Sequence, residues 1–420
     1  MNIKRLVLGT AAGALAVTGA QAADLPVVVE PVDYVRICDA VGTGYFFIPG
    51  TDTCMNISTR VRTDYNLYFD IDDANVTGLL DSYDGDIGDR LYRFRARGYV
   101  RTSTVTQTEF GQLRTFVDIF VTKDSGARFS GEAGDAVTLD SALIQLGGLF
   151  LGRFATSFGG SQGIYTIEQT FDLGNNTGQV NQIAYQFDFG NGFTATVALE
   201  DTTKHRDGIV ALALGPNFVF LPTFSDYGGA QVPDIVAKVE VVQGWGSARL
   251  SAAGHYVNAQ AFYSNGVVLQ QRSDTDYGFA VGAGVEANLP FGNGTKIGVQ
   301  GGYAYGALDY IADSPTGIGA ADGLFDNAGN LQLGNFFSVA GGVTTSFTPT
   351  VSAALGAGWV YMDHDFDPAD TTNINVQGTV GWEPISGMLF ALGAEYRYQD
   401  DDVLGDASAL TTFFRAQATF

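Results

Sequence analysis

The chain has 420 residues, of which 45 are Asp or Glu against 22 Lys or Arg, for a formal charge of −23. So acidic a polymer repels phosphate backbones, which excludes a nucleic-acid binder. Two cysteines and three histidines without ligand spacing leave no metal cluster and point to no cofactor, while 55 Gly and 30 Phe beside 11 Pro suit a turn-rich all-β chain.

Residues 1–22 read as an export signal. Lys4 and Arg5 form its basic start, Leu6 to Val17 its apolar run, and Ala20-Gln21-Ala22 its cleavage site. The mature chain is then expected to begin at Ala23, with 20 cationic residues against 45 acidic ones and a charge of −25. Residues 23–54 form a predicted N-terminal periplasmic segment that contains both cysteines. In an exported chain, Cys38 and Cys54 are expected to be disulfide-bonded. Closing a loop of that size contributes ~3 kcal/mol in the chain-entropy model.

From Met55 to the end, alternating apolar and polar runs recur about sixteen times. The first, 55–69, sets Ile57, Val61, Tyr65, Leu67 and Phe69 on one face and Ser58, Arg60, Arg62, Asp64 and Asn66 on the other. The second, 90–107, contains Arg93, Arg95, Arg97 and Arg101 at strand spacing, opposite Tyr92, Phe94, Ala96, Gly98 and Val100. Further strands are predicted at 111–124, 138–147, 148–156, 180–189, 192–203, 234–243, 246–260 and 275–289. The remainder fall at 294–307, 335–347, 350–362, 373–383, 387–399 and 411–420. Of these, 138–156 is the least defined, because Gly147-Gly148 is either a turn or part of one run.

The connections alternate strictly between short and long. Asn191-Gly192, Gly244 to Gly246, Pro290 to Gly294, Thr348 to Thr350 and Pro384 to Gly387 are short turns. Between them lie long loops at 70–89, 125–137, 157–179, 204–233, 261–274, 308–334, 363–372 and 400–410. All long loops therefore fall at one end of the sheet. Aromatic residues such as Trp359, Tyr361, Tyr396, Tyr398, Tyr303, Tyr305 and Phe347 gather near strand ends, as interfacial girdles require. The last strand ends on Phe420, a terminal aromatic typical of outer-membrane barrels and part of their assembly signal. The pattern predicts a transmembrane antiparallel β-barrel of about sixteen strands, spanning 55–420, with long outer loops and short periplasmic turns. No other segment offers the ~20 apolar residues of a spanning helix, but hydropathy does not detect barrels. In such a barrel the polar face lines water. Arg60, Arg62, Arg93, Arg95, Arg97 and Arg101 would then form a basic wall, extended by Arg114 and Arg153.

The stretches Tyr34 to Ala40 (YVRICDA) and Tyr45 to Cys54 (YFFIPGTDTC) resemble the start of the alphaproteobacterial porins, the major outer-membrane porins of brucellae and rhizobia. ALIQLGGLFLGR at 142–153, FGNGFTATVALED at 189–201 and the Phe-terminated last strand carry the resemblance along the chain. It implies sixteen strands, a homotrimer in outer-membrane lipid and lipopolysaccharide, and passive diffusion of small hydrophilic solutes and ions. It also implies that the third long loop, 157–179, folds inward and offers Glu168 or Asp172 against the basic wall.

Other motifs carry less. Gly159-Gly160-Ser161-Gln162-Gly163 matches a nucleophile elbow but sits in a Gly-rich loop, and no helix follows Gly282-Ala283-Gly284 as a dinucleotide site needs. The acidic run from Asp70 to Asp89 lacks EF-hand spacing and reads as a solvated loop, with cation bridging to lipopolysaccharide as a minor alternative. An outer-membrane barrel enzyme would need clustered Ser, His and Asp, and a secreted adhesin would not need the loop alternation. Loop acidity set against the arginines leads to an expected weak ion selectivity with a cationic lean.

Overall fold

The computed structural model describes residues 36–70, 92–125, 136–160, 162–163, 165–167, 172–173, 178–211, 221–264, 269–313, 315–317, 319–326, 330–364, 370–402 and 405–420. The export signal, most of the Asp70–Asp89 run, Ser161 and Glu168 lie outside these residues. Sixteen long strands are present. They are β1 (Cys54–Asp70), β2 (Tyr92–Thr108), β3 (Gly111–Asp124), β4 (Ala136–Leu146), β5 (Leu149–Ala155), β6 (Gln179–Gly190), β7 (Phe193–Glu200) and β8 (Asp234–Gln243). Then follow β9 (Gly246–Ser264), β10 (Leu269–Asn288), β11 (Asn293–Tyr305), β12 (Asn335–Thr348), β13 (Val351–Asp363), β14 (Thr371–Ile385), β15 (Met388–Asp401) and β16 (Ala407–Thr419).

Each strand pairs antiparallel with its chain neighbours. β16 returns to β1 in register from Arg60↔Thr419 to Asp70↔Ala409, so the sheet closes and these strands have no free edge. The Phe420 amide and carbonyl both bond Thr59, which fastens the end of the last strand to the first.

Burial is inverted relative to a soluble sheet. In β1, Ile57, Val61, Tyr65, Leu67 and Phe69 are 41–54 % exposed, whereas Asp64 and Asn66 are 3 % and 6 % exposed. The same parity holds around the ring, with Leu250, Tyr277, Leu355 and Leu392 outside and Arg249, Gln300, Gln377 and Glu395 inside. Outward apolar side chains on every second residue are stable only against lipid, and the inverse face must meet water or paired polar groups.

Several boundaries depart from those expected. Gly147-Gly148 is a real turn, with Gly147 at φ +57°, a left-handed conformation that glycine adopts without a Cβ penalty. The run expected over 192–203 stops at Glu200, because the Asp201 side chain accepts from the Thr203 amide and caps a 3₁₀ turn over Thr202–Lys204. β9 and β10 run beyond 246–260 and 275–289 because a further strand, Leu221–Tyr227, pairs with the far end of β9 from Leu221↔Ser264 to Tyr227↔Ala259. At 20 residues, β10 is roughly 65 Å long, so its outer half stands clear of a ~30 Å hydrocarbon layer.

At the short-turn end, Phe46–Phe47 pairs with Cys54 and Met55, and the Cys38–Cys54 disulfide joins Cα atoms 6.0 Å apart. Tyr45 Oη bonds Ser103 Oγ at 2.7 Å and seats this segment on the inner face of β2.

An apolar core lies inside the barrel. Ala184, Ala198, Val236, Ala280, Ala304 and Phe336 of the wall pack around Phe158 and around Leu308, Tyr310 and Ile311 from the loop after β11. Small inward residues on β6 to β11 leave the room that these loop side chains fill. A second cluster joins Ile209, Phe325, Leu331 and Leu333 to Val257, Ala259 and Ala261 of β9.

Candidate functional site

β1 and β2 lie side by side with Arg62 opposite Arg97, Asp64 opposite Arg95, Asn66 opposite Arg93 and Ser58 opposite Arg101. All four arginines of β2 share the inward face with Tyr99, since they are two residues apart. Their repulsion is offset from the strands themselves. Asp124 of β3 accepts from Arg93 Nε at 2.7 Å and from Arg95 Nε at 3.1 Å. Asp118 pairs with Arg101, and Arg97 Nε donates to Thr122 Oγ1 at 2.9 Å. Asp64 is shared by Arg62 at 3.1 Å and by Arg415 of β16 at 2.6 Å.

The rings complete the wall. Tyr99 lies at the centre of Arg60, Arg62, Arg97 and Arg101, whose guanidinium carbons stand 5.1, 5.9, 5.9 and 5.5 Å from its centroid. Arg97 also lies 4.4 Å over Phe120. Such contacts attract a cation to the ring face without neutralising it. Seven guanidiniums thus share Asp64, Asp118 and Asp124, with the charge of Asp140 also acting on Arg97 and Arg101, and the wall stays net basic.

Two expected members are placed less directly. Arg114 is exposed and bonds Gln112 at 2.6 Å. It lies four residues, roughly 13 Å, towards the turn from Asp118. Arg153 has the strand parity of Leu151, whose register partners Ile144 and Ile183 are exposed, but its charge acts on Asp140 of β4 together with those of Arg101 and Arg97. The turn at Gly147-Gly148 sets that parity, which counting along an undivided 138–156 run does not provide.

The segment after β5 runs inside the barrel. Thr156 Oγ1 and the Ser157 amide donate to Glu200 at 2.8 and 2.6 Å, and Arg249 Nη1 donates to the Phe158 carbonyl at 2.6 Å. Gln162 bonds Glu240 and Ser247, and Tyr165 Oη donates to Glu286 at 2.9 Å. A β-carbon at Gly298 would stand 2.3 Å from the Gly163 nitrogen, so only glycine lets the loop backbone pass there. Arg415 Nη1 then donates to the Ile167 carbonyl at 3.0 Å, which brings the segment to the edge of the basic wall. Beyond it, Asp172–Leu173 pairs with Ala312–Asp313, beside β12 and β13.

At the outer end, three loops meet in a buried polar network. His205 is fully buried, with Nε2 at 2.8 Å from Glu200 and Nδ1 at 2.8 Å from Asp309, and it stacks on Tyr310 at 4.0 Å. Burial alone would lower the His205 pKa, but the bonds and charges of Asp309 and Glu200 override it and raise it to about 9. His255 bonds Asp234 at 2.9 Å, Tyr310 Oη donates to Asp234 at 2.9 Å, and Tyr227 Oη donates to Asp322 at 2.5 Å. Among the residues that sequence reasoning did not single out, Arg415, Asp118, Asp124, Glu200 and His205 organise this interior. Strand parity marks most of them as inward, but their partners come from other strands and loops.

A family model described as the Porin subfamily matches residues 24–418. The porin Omp2b of Brucella suis is 38 % identical over 269 residues, covering 59 % of this chain and 64 % of that protein. The porin Omp2b of Brucella abortus (strain 2308) is 36 % identical over 259 residues, with the same two shares. The chain thus spans just under two thirds of the length of the curated relatives it matches. Among solved structures, the outer membrane channel DcaP of Acinetobacter baumannii superposes with a TM-score of 0.68 at 15 % identity, covering 89 % of this chain and 99 % of that one. OmpT of Vibrio cholerae gives a TM-score of 0.50 at 11 % identity over 89 % and 99 % of the two chains. These structural likenesses concern the fold.

Proposed function

The chain belongs to the porin subfamily, and from that premise we propose that it is a general diffusion porin of the outer membrane, passing small hydrophilic solutes and ions. The observation that carries the reading is the inverted barrel, apolar outside, with a net basic wall inside and a loop threaded along the opposite face. Sixteen strands enclose a lumen wide enough for water. The inserted segment narrows that lumen, so solutes pass between it and the arginines.

The constriction is taken to comprise Arg60, Arg62, Arg93, Arg95, Arg97 and Arg101 on one side and the 157–179 loop, with Glu168 or Asp172, on the other. Opposed charges there would orient dipolar solutes and admit ions of both signs. In this reading residues 1–22 are removed on export, residues 23–54 face the periplasm, and the barrel works as a homotrimer embedded in lipid and lipopolysaccharide. A catalytic role is set aside, because both ring nitrogens of His205 are held by carboxylates and neither is free to activate a nucleophile.

Purified protein in a planar bilayer should give ohmic steps in KCl, and liposomes that contain it should swell in small sugars with a sharp size limit. A folded protein that neither conducts nor admits sugars would refute the proposal.

A further inference from the structure

Beneath the start of the inserted loop lies a recess of about 330 Å³ in the inner wall. Its roof is the segment from Thr156 to Gly160, and its sides are Phe150, Phe154, Ala184, Gln186, Thr196 and Lys238. Phe150 and Phe154 face inward: Phe150 pairs with Ala184 and Phe154 with Val180, and both partners are buried on the lumen side. Phe150 and Phe154 pack against the interior apolar core on one side and give the recess an apolar wall on the other. Water gains nothing from them, whereas an apolar solute body does.

Lys238 supplies the other half of the chemistry. Among the described residues, its ammonium has one hydrogen-bond contact, a marginal 3.5 Å approach to the Gly159 carbonyl. An ammonium has three donors, so it retains capacity for an anion. The charges of Glu240 and Glu200 act on Lys238 without a direct hydrogen bond. Glu240 also lies in register with Arg249 and accepts from Gln162, and Glu200 accepts from Thr156 and Ser157. The recess volume lies at the small end of ligand sites, ~300–1,000 Å³.

We propose that this recess is a solute subsite for small monocarboxylates with an apolar body, the ring or chain lying on Phe150 and Phe154 and the carboxylate meeting Lys238. The subsite rests on the channel reading, because solute reaches it through the lumen. It makes the pore a general one with a local affinity for amphiphilic anions.

The test uses full-length protein in a planar bilayer with KCl, with benzoate as probe and acetate and benzyl alcohol as controls. Benzoate should reduce each channel's conductance at millimolar concentration, with acetate and benzyl alcohol at least ~10-fold weaker. Lys238→Gln should weaken block by ~10-fold or more, the expected scale for losing a charge-assisted hydrogen bond. Lys238→Arg should retain block, and Phe154→Ser should weaken benzoate while leaving acetate as it was. Each variant is compared with its own unblocked conductance, and heat-modifiable mobility reports folding. Equal block by benzoate and acetate, or undiminished block in Lys238→Gln, overturns the subsite while leaving the channel standing. If no conductance appears at all, the channel reading fails. Equilibrium dialysis of radiolabelled benzoate against detergent-solubilised wild type and Lys238→Gln then decides the subsite by itself: tighter binding to wild type supports it, and equal binding overturns it.

Discussion

Protonated His205 is predicted to hold the outer loops in the barrel, and its removal or titration should release them. The ring lies between Glu200 at the end of β7 and Asp309 on the inserted loop, 2.8 Å from each. Lys204 approaches Asp309 at 3.7 Å, Tyr310 stacks on the ring, and the Thr156 and Ser157 bonds to Glu200 tie in the start of the other inserted loop. Raising the imidazole pKa from 6.5 to about 9 corresponds to roughly 3 kcal/mol favouring the closed arrangement while the ring is charged. Because the folded value is raised, that stabilisation is fully present below about pH 6.5 and is lost as pH rises through about 9. Tyr310 and Tyr227 are both pushed above their ordinary range by burial and by nearby aspartates, so they do not discharge in that window. Hydrogen exchange of 202–211 and 308–326, corrected for intrinsic base catalysis, should lose about two decades of protection between pH 6.5 and 9.5. His205→Ala should start at the low level and lose most of the pH dependence, since it leaves Glu200 and Asp309 buried with only the partly exposed Lys204, 3.7 Å from Asp309, to offset them. Protection independent of pH in the wild type, or an unchanged pH profile in His205→Ala, would refute the reasoning.

Replacing Arg95 and Arg97 by glutamine should shift the weak selectivity towards cations, read as reversal potential in a KCl gradient, while neutralising aspartates of the outer loops should change it far less. An unchanged potential would place the constriction elsewhere. Ala304→Leu forces extra volume into the interior core beside Leu308 and Phe158 and should cost about 1–3 kcal/mol. It should loosen the inserted loop and raise single-channel conductance. Cys38→Ser with Cys54→Ser should lower the yield of refolded barrel, by an amount consistent with ~3 kcal/mol, and leave the conductance of assembled channels as it was.

Much of the architecture was legible in local pattern because the strand period is two and needs no knowledge of the partner. Residues 55–69 already separate Ile57, Val61 and Tyr65 from Arg60, Arg62 and Asp64, and the fold places the two sets on opposite sides of the wall. The four arginines of 93–101 likewise had to share a face, and short turns alternating with long loops set which end of the sheet bears the loops. What neutralises those arginines was not legible. Asp64 meets Arg415 across 351 residues only because β16 closes on β1, and Asp118 and Asp124 meet Arg101 and Arg93 only in one register of β2 against β3. The strand parity at Arg153 was not legible either, because a two-residue turn resets it, and a slip of one residue reverses the face of every side chain after it. Nor does periodicity describe a loop, so the insertion of Thr156 to Gly160, Gln162, Gly163, Tyr165 to Ile167 and Leu308–Ile311, and with it the buried His205 between two carboxylates, required the closed barrel. Side-chain facing within a strand is set by backbone geometry one residue at a time, whereas ion pairs, interior packing and loop paths depend on contacts that exist only after distant strands have joined.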